Sequence, residues 1–134
     1  MFNSTVFTET SHDIRVVVKP TFMQSESDVV NQKYVFVYFI TIENMGDTPV
    51  KLLRRHWNIE DSNGESQEVS GEGVIGRQPV IEPGKAHHYN SYSVLKSMSG
   101  TMEGYYEMQR GRAEGGELLH VNIPKFWLRS HLLN

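Results

Sequence analysis

The chain has 134 residues, 38% of them apolar, which is enough to bury the core of one domain and leaves no room for a second. With 16 acidic and 13 basic residues the formal charge is -3, so there is no broad electrostatic attraction for nucleic acid or an anionic membrane. Cysteine is absent, which excludes disulfides, thiolate nucleophiles, zinc ribbons and iron–sulfur clusters.

The opening MFNSTVFTETSHDI lacks a basic stretch followed by an apolar core, so no secretory leader is expected and the cytoplasm is the expected location. Residues 1–11 read as a flexible segment. The sequon Asn3-Ser4-Thr5 matters only in a secreted chain. IRVVVKPTF, residues 14–22, is rich in β-branched residues, with Pro20 marking an edge or bulge because proline cannot donate to a ladder. After the polar connection SESDVVN, KYVFVYFITIEN alternates Tyr34, Phe36, Tyr38, Ile40 and Ile42 on one face with Val35, Val37, Phe39 and Thr41 on the other. A period of two predicts a strand buried on at least one face, and its apolar run is too short to span a bilayer.

VKLLRRHWNIE follows, then DSNGE, where Asn63-Gly64 can adopt the positive φ of a tight hairpin; Trp57 to Glu60 should pair with Glu65 to Val69. A loop is expected over residues 70–84, with Glu82-Pro83-Gly84 setting a β-turn into KAHHYNSYSVL. GTMEGYYEMQR and ELLHVNIPKFWL complete the set, separated by RGRAEGG, a mobile hairpin tip, and RSHLLN reads as a tail over 129–134. Nowhere does a three-and-four periodicity argue for a helix. The expected fold is all-β, an antiparallel sandwich of about seven to eight strands.

The loop SGEGVIGRQPVIEPG carries Gly-x-Gly-x-x-Gly at Gly71, Gly73 and Gly76. In a dinucleotide site such glycines lead into a helix whose amides and dipole hold the phosphates. RQPVIEPG, with Pro79 and Pro83, cannot be that helix, and Glu72 would repel a phosphate. Turn formation is the simpler reading of these glycines, although a backbone nest assisted by Arg77 could still hold an anion. Catalytic and metal constellations are weaker. His87 and His88 are adjacent on a strand and must face opposite ways, and His12, His56, His120 and His131 have no chelating spacing. The acidic set Glu60, Asp61, Glu65, Glu68 and Glu72 reads as a solvated hairpin. Ser93-x-x-Lys96 needs a helix to align both side chains and lies in a strand pattern. Arg54-Arg55 beside Trp57 is one basic pair in an acidic chain, and Phe36, Tyr38, Trp57, Tyr105 and Tyr106 are expected in the core.

The stretches LLRRHWNIEDSNG, EVSGEGVIGRQPVIEPG and GTMEGYYEM, in this order and spacing, resemble the bacterial ApaG family over about residues 12–128. The resemblance implies a fibronectin type III-like sandwich. It places the family's Arg-x-Trp on Arg55 and Trp57, its glycine loop on Gly71, Gly73 and Gly76, its Gln-Pro and Pro-Gly pairs on Gln78-Pro79 and Pro83-Gly84, and its last motif on Gly100, Met102, Gly104 and Tyr106. KAHHYNSY departs from the pattern, with Tyr92 where the family tends to carry glycine. The family resembles this chain in being small and cytosolic, is linked genetically to cobalt and magnesium tolerance and to a neighbouring diadenosine tetraphosphate hydrolase, and has similar domains in F-box and polymerase-interacting proteins. The function expected is a non-enzymatic domain, monomeric or homodimeric, binding a protein partner through loops or a sheet edge. The alternatives are a phosphate-containing small molecule on Gly71, Gly73, Gly76 and Arg77, or divalent-cation binding; no catalytic residue, metal ligand, cofactor, nucleic acid or membrane partner is expected.

Overall fold

A computed structural model describes residues 5–132. It contains nine strands, β1 (Phe7–Ser11), β2 (Ile14–Phe22), β3 (Tyr34–Asn44), β4 (Val50–Asp61), β5 (Ser66–Glu72), β6 (Val80–Ile81), β7 (Ala86–Leu95), β8 (Ser99–Arg110) and β9 (Leu118–Arg129), with one 3₁₀ turn at Gln24–Glu26. No helix among the described residues is long and apolar enough to cross a membrane. One sheet runs β1-β2-β3-β7 and the other β5-β4-β8-β9, with β6 beside β4, and every pairing is antiparallel.

The strand count exceeds the expected seven to eight through β1 and β6, both too short to show a period. Phe7–Ser11 lies inside the stretch read as flexible; it pairs with β2 across a two-residue turn at His12 and Asp13, which have φ of 51° and 63°. Residues 1–4, with Asn3 and Ser4 of the sequon, lie outside the described residues. The tail also begins later than residue 129, because Arg129 closes β9 and the buried Ser130 donates its amide to Met98 O. Residues 133 and 134 lie outside the described residues.

Alternation fills the space between the sheets. Ile14, Val16 and Val18 of β2 and Phe36, Tyr38, Ile40 and Ile42 of β3 face Leu52, Trp57, Met102, Tyr106, Val121 and Phe126 of the opposite sheet. Tyr38, Trp57 and Phe126 form the centre, with ring centroids 5.4 to 5.8 Å apart and Trp57 edge-on to Phe126 at 87°. Tyr105 is not in this core. Adjacent residues on a strand take opposite faces, so burying Tyr106 turns Tyr105 outward, where it stacks between His56 at 5.0 Å and His120 at 4.1 Å. Pro20 lies past Val18, where β1 stops pairing, so its missing donor faces an open edge as expected. The Glu82-Pro83-Gly84 turn is present, with Lys85 N donating to Glu82 O at 3.0 Å and Gly84 at φ 75°.

The two margins of the sandwich differ. At one, β1 lies against β9, with Phe7 on Phe126 at 6.2 Å and Asn122 N donating to Ser11 Oγ at 3.1 Å. At the other, β5 and β7 are the outermost strands, and a cleft of about 380 Å³ opens between them, lined by Ile59, Val69, Tyr92, Val94 and Lys96.

Candidate functional site

The site is built from a bulge in β4. Leu52 pairs with Met108 and Arg54 with Glu107, so Leu53 is an extra residue and the strand changes phase there. Val50 and Leu52 point inward before the bulge; Arg55 and Trp57 point inward after it. The bulge also leaves the Leu53 carbonyl free to anchor the glycine loop. It accepts Gly73 N at 2.8 Å and Gln78 Nε2 at 3.0 Å, while Leu52 N donates to Pro79 O at 3.0 Å.

The expected loop over 70–84 is shorter than its sequence suggests, since Ser70, Gly71 and Glu72 belong to β5 and Val80–Ile81 forms β6. Between them Val74 and Arg77 exchange amide–carbonyl bonds at 2.8 and 3.0 Å across Ile75 and Gly76, a two-residue hairpin turn with φ of 48° and 72°. An exposed β-branched residue at positive φ is strained by about 1–3 kcal/mol, and Ile75 is one. The amides of Gly73, Val74 and Arg77 all bond within the protein, so they are not free to cradle a phosphate.

Two of the glycines serve spacing. Gly71 pairs with Arg55, and a Cβ there would meet Arg55 Nη1 at 2.8 Å. A Cβ on Gly73 would lie 1.9 Å from Arg77 O. With Gly71 out of the way, the Arg55 guanidinium crosses to the loop and donates Nη1 to Glu72 O and Gly73 O, both at 3.0 Å. Its other face closes a cleft of about 120 Å³ with Tyr38, Trp57, Ile75, Gly76, Tyr89 and Ser91. The Arg-x-Trp and glycine-loop motifs therefore form one unit. Arg77 is exposed and does not line the cleft; its charge reaches His87, whose imidazole is held below the ordinary range first by burial and then by the charges of His88 and Arg77.

Tyr89 Oη and Tyr106 Oη share a hydrogen bond beneath the cleft. Burial is the main cause that pushes the phenols of Tyr38, Tyr89 and Tyr106 upward, and the Arg55 charge opposes it in all three. A raised folded-state value favours the protonated form, so this contribution to stability is complete below the ordinary phenol value of 10.0 and is lost as pH climbs through the raised values. Phenolate absorbance of these tyrosines should appear together with unfolding on alkaline titration; ionisation of all three in the native fold, before any loss of β-sheet circular dichroism, would contradict it.

The remaining motif positions are structural. Gly100 and Gly104 let β8 approach β4, since a Cβ would meet Glu60 O at 2.4 Å and His56 O at 1.9 Å. Met102 is buried and accepts from Ser93 Oγ at 3.4 Å, which turns Ser93 away from the exposed Lys96. His88 bonds Thr41 at 2.9 Å on the outer face while His87 sits near Tyr89 within, so the two histidines diverge as expected. Among the described residues no three of His, Asp and Glu converge as metal ligands. Tyr38, Ile75, Tyr89 and Ser91 were not singled out as cleft residues by the sequence. Only the same-face spacing of Tyr89 and Ser91 hinted at a shared surface.

The ApaG domain of the protein families matches residues 24–110, a span that holds the bulge, the glycine loop and the tyrosine cluster. The chain belongs to the ApaG family. The protein ApaG of Dechloromonas aromatica is 45% identical over 117 residues, covering 87% of this chain and 90% of its own. The protein ApaG of Proteus mirabilis is 43% identical over 119 residues, covering 89% and 93%. A crystal structure from Bordetella pertussis that carries the name ApaA superposes with a TM-score of 0.83 at 38% identity, covering 89% of this chain and 94% of that one. The ApaG fold is thus common to the chain and its relatives along nearly their whole length.

Proposed function

We propose that this ApaG-family chain is a non-enzymatic interaction domain that receives an extended segment of another protein as an added strand on β7. The carrying observation is that β7 is a sheet edge without the usual protection. Natural edges are blunted by charge, proline, bulges or covering elements. Here β1 and β9 cover one another, β9 carries Pro124 at a register shift, and β5 carries Glu68 and Glu72. The ten residues of β7 include no proline and no Asp, Glu, Lys or Arg, and they pair with β3 without a register break.

The face beside this edge is apolar. Tyr92 is 66% exposed, Val94 50% and Phe39 48%, and register sets Tyr92 opposite Val37 and Val94 opposite Val35. An added strand would gain main-chain bonds from β7 and side-chain contact from these residues. A photo-cross-linker at position 92 should capture a protein partner in cells; Val94→Lys should abolish capture, and Trp127→Lys on the outer face of the other sheet should not. Capture that survives Val94→Lys, or that yields only a second copy of this chain, would count against the reading. Nucleotide turnover by pure protein that a point substitution removes would overturn its non-enzymatic half.

A further inference from the structure

We infer that the cleft beside Arg55 is a binding site for one small oxyanion, a carboxylate or a phosphate group, and that Arg55 rather than the glycine-loop amides is its principal donor. This stands apart from docking at β7.

Arg55 is half-buried. Its Nη1 is engaged by two carbonyls, and among the described residues no hydrogen bond or ion pair takes its Nε or Nη2. None of the four ion pairs among the described residues includes it. A guanidinium withdrawn from water without a carboxylate is costly unless something else satisfies it, and its Nε and Nη2 edge is the planar fork that matches an oxyanion bidentately. The residues lining the cleft carry no negative charge: the phenols of Tyr38 and Tyr89 stay protonated, Tyr89 being bonded to Tyr106, and Ser91 adds a hydroxyl beside Tyr38.

Size restricts the ligand. About 120 Å³ is well below the roughly 300 Å³ at which pockets begin to hold drug-sized molecules, so the cleft encloses a single anionic group and not a whole nucleotide. The roof is the strained turn at Ile75 and Gly76, a conformation that persists only where its surroundings impose it and that recurs at ligand clamps. The glycine motif acts here through Arg55, because Gly71 leaves room for the guanidinium and the Glu72 and Gly73 carbonyls aim it.

The test is an NMR titration of labelled protein with inorganic phosphate and, separately, with acetate, following Arg55 Nε–Hε, Gly76 and Ser91. Saturable, salt-sensitive shifts at these positions are expected with at least one of the two, and which one saturates separates a phosphate from a carboxylate ligand. Arg55→Gln should weaken that binding by about tenfold or more, as expected for loss of a bidentate charged pair, whereas Arg77→Ala should change it by less than about twofold. Ser91→Leu fills the cleft and leaves the charge in place, so it should block binding too, and it decides the question if Arg55→Gln does not fold. Absence of saturation with both anions, binding that survives Arg55→Gln and Ser91→Leu, or binding lost in Arg77→Ala alone would overturn the inference.

Discussion

Gly104→Ala should destabilise the protein by about 3 kcal/mol or more, lowering its melting temperature by roughly 10 °C. The added Cβ would stand 1.9 Å from His56 O and 3.1 Å from Trp57 Cα, both backbone atoms of β4. No side-chain rotation relieves that contact, so β8 would have to move from β4 at the middle of their ladder. Gly104 does not have a positive φ, so the effect would be one of contact rather than conformation. Gly64→Ala is the control, because that turn glycine has φ 97° with nothing within 4 Å, so only the conformational cost of roughly 1–2 kcal/mol applies. Thermal unfolding by circular dichroism compares the two. A loss for Gly104→Ala no larger than that for Gly64→Ala would mean that the β4–β8 spacing is not fixed by Gly104.

Trp57→Ala should remove about 3–5 kcal/mol, the range for truncating a large buried aromatic side chain. Trp57 is 3% exposed and packs edge-on against both Tyr38 and Phe126, so its loss opens a cavity lined by both sheets. The chain's other tryptophan provides the comparison: Trp127 is 57% exposed, and its replacement by alanine should stay within about 0.5 kcal/mol. Urea unfolding of both variants checks the pair. Similar midpoints for the two would show that the centre of the sandwich does not depend on Trp57.

The sequence announces the fold wherever a strand alternates without interruption. β3 carries aromatic or β-branched residues at its inward positions from Tyr34 to Ile42, with buried Asn44 closing the strand. β4 and β5 are joined at the expected place, although only Gly64 takes a positive φ, in a turn closed by Gly64 N donating to Asp61 O and Asp61 N to Glu65 O. Irregular strands are less legible. In β9 Ile123 and Pro124 are both buried, because Met102 pairs with Phe126 while Gly104 pairs with Ile123, and the proline occupies the break where no donor is needed. β1 becomes a strand through its partner across the turn, with little pattern of its own.

The candidate site shows the same limit at higher stakes. LLRRHW contains two arginines, and composition gives no reason to prefer one. The extra residue at Leu53 decides it, turning Arg55 inward and leaving Arg54 exposed. A bulge is set by pairing with strands distant in sequence, so local periodicity cannot reveal it. The glycine motif is legible as a turn former, but not in its detail: around the tight turn at Ile75 and Gly76 the amides of Gly73, Val74 and Arg77 bond to the protein's own carbonyls. Gly71 proved necessary for a reason visible only across the ladder, where Arg55 lies opposite.

The closed margin where β1 meets β9 also fixes how this domain can be combined with others. The first strand and the last lie there together, Phe7 against Phe126, while β5 and β7 lie at the far side. Polypeptide attached before β1 or after β9 would leave from the closed side, and a reporter or a second domain fused at either end would leave the free edge of β7 and the Arg55 cleft unobstructed.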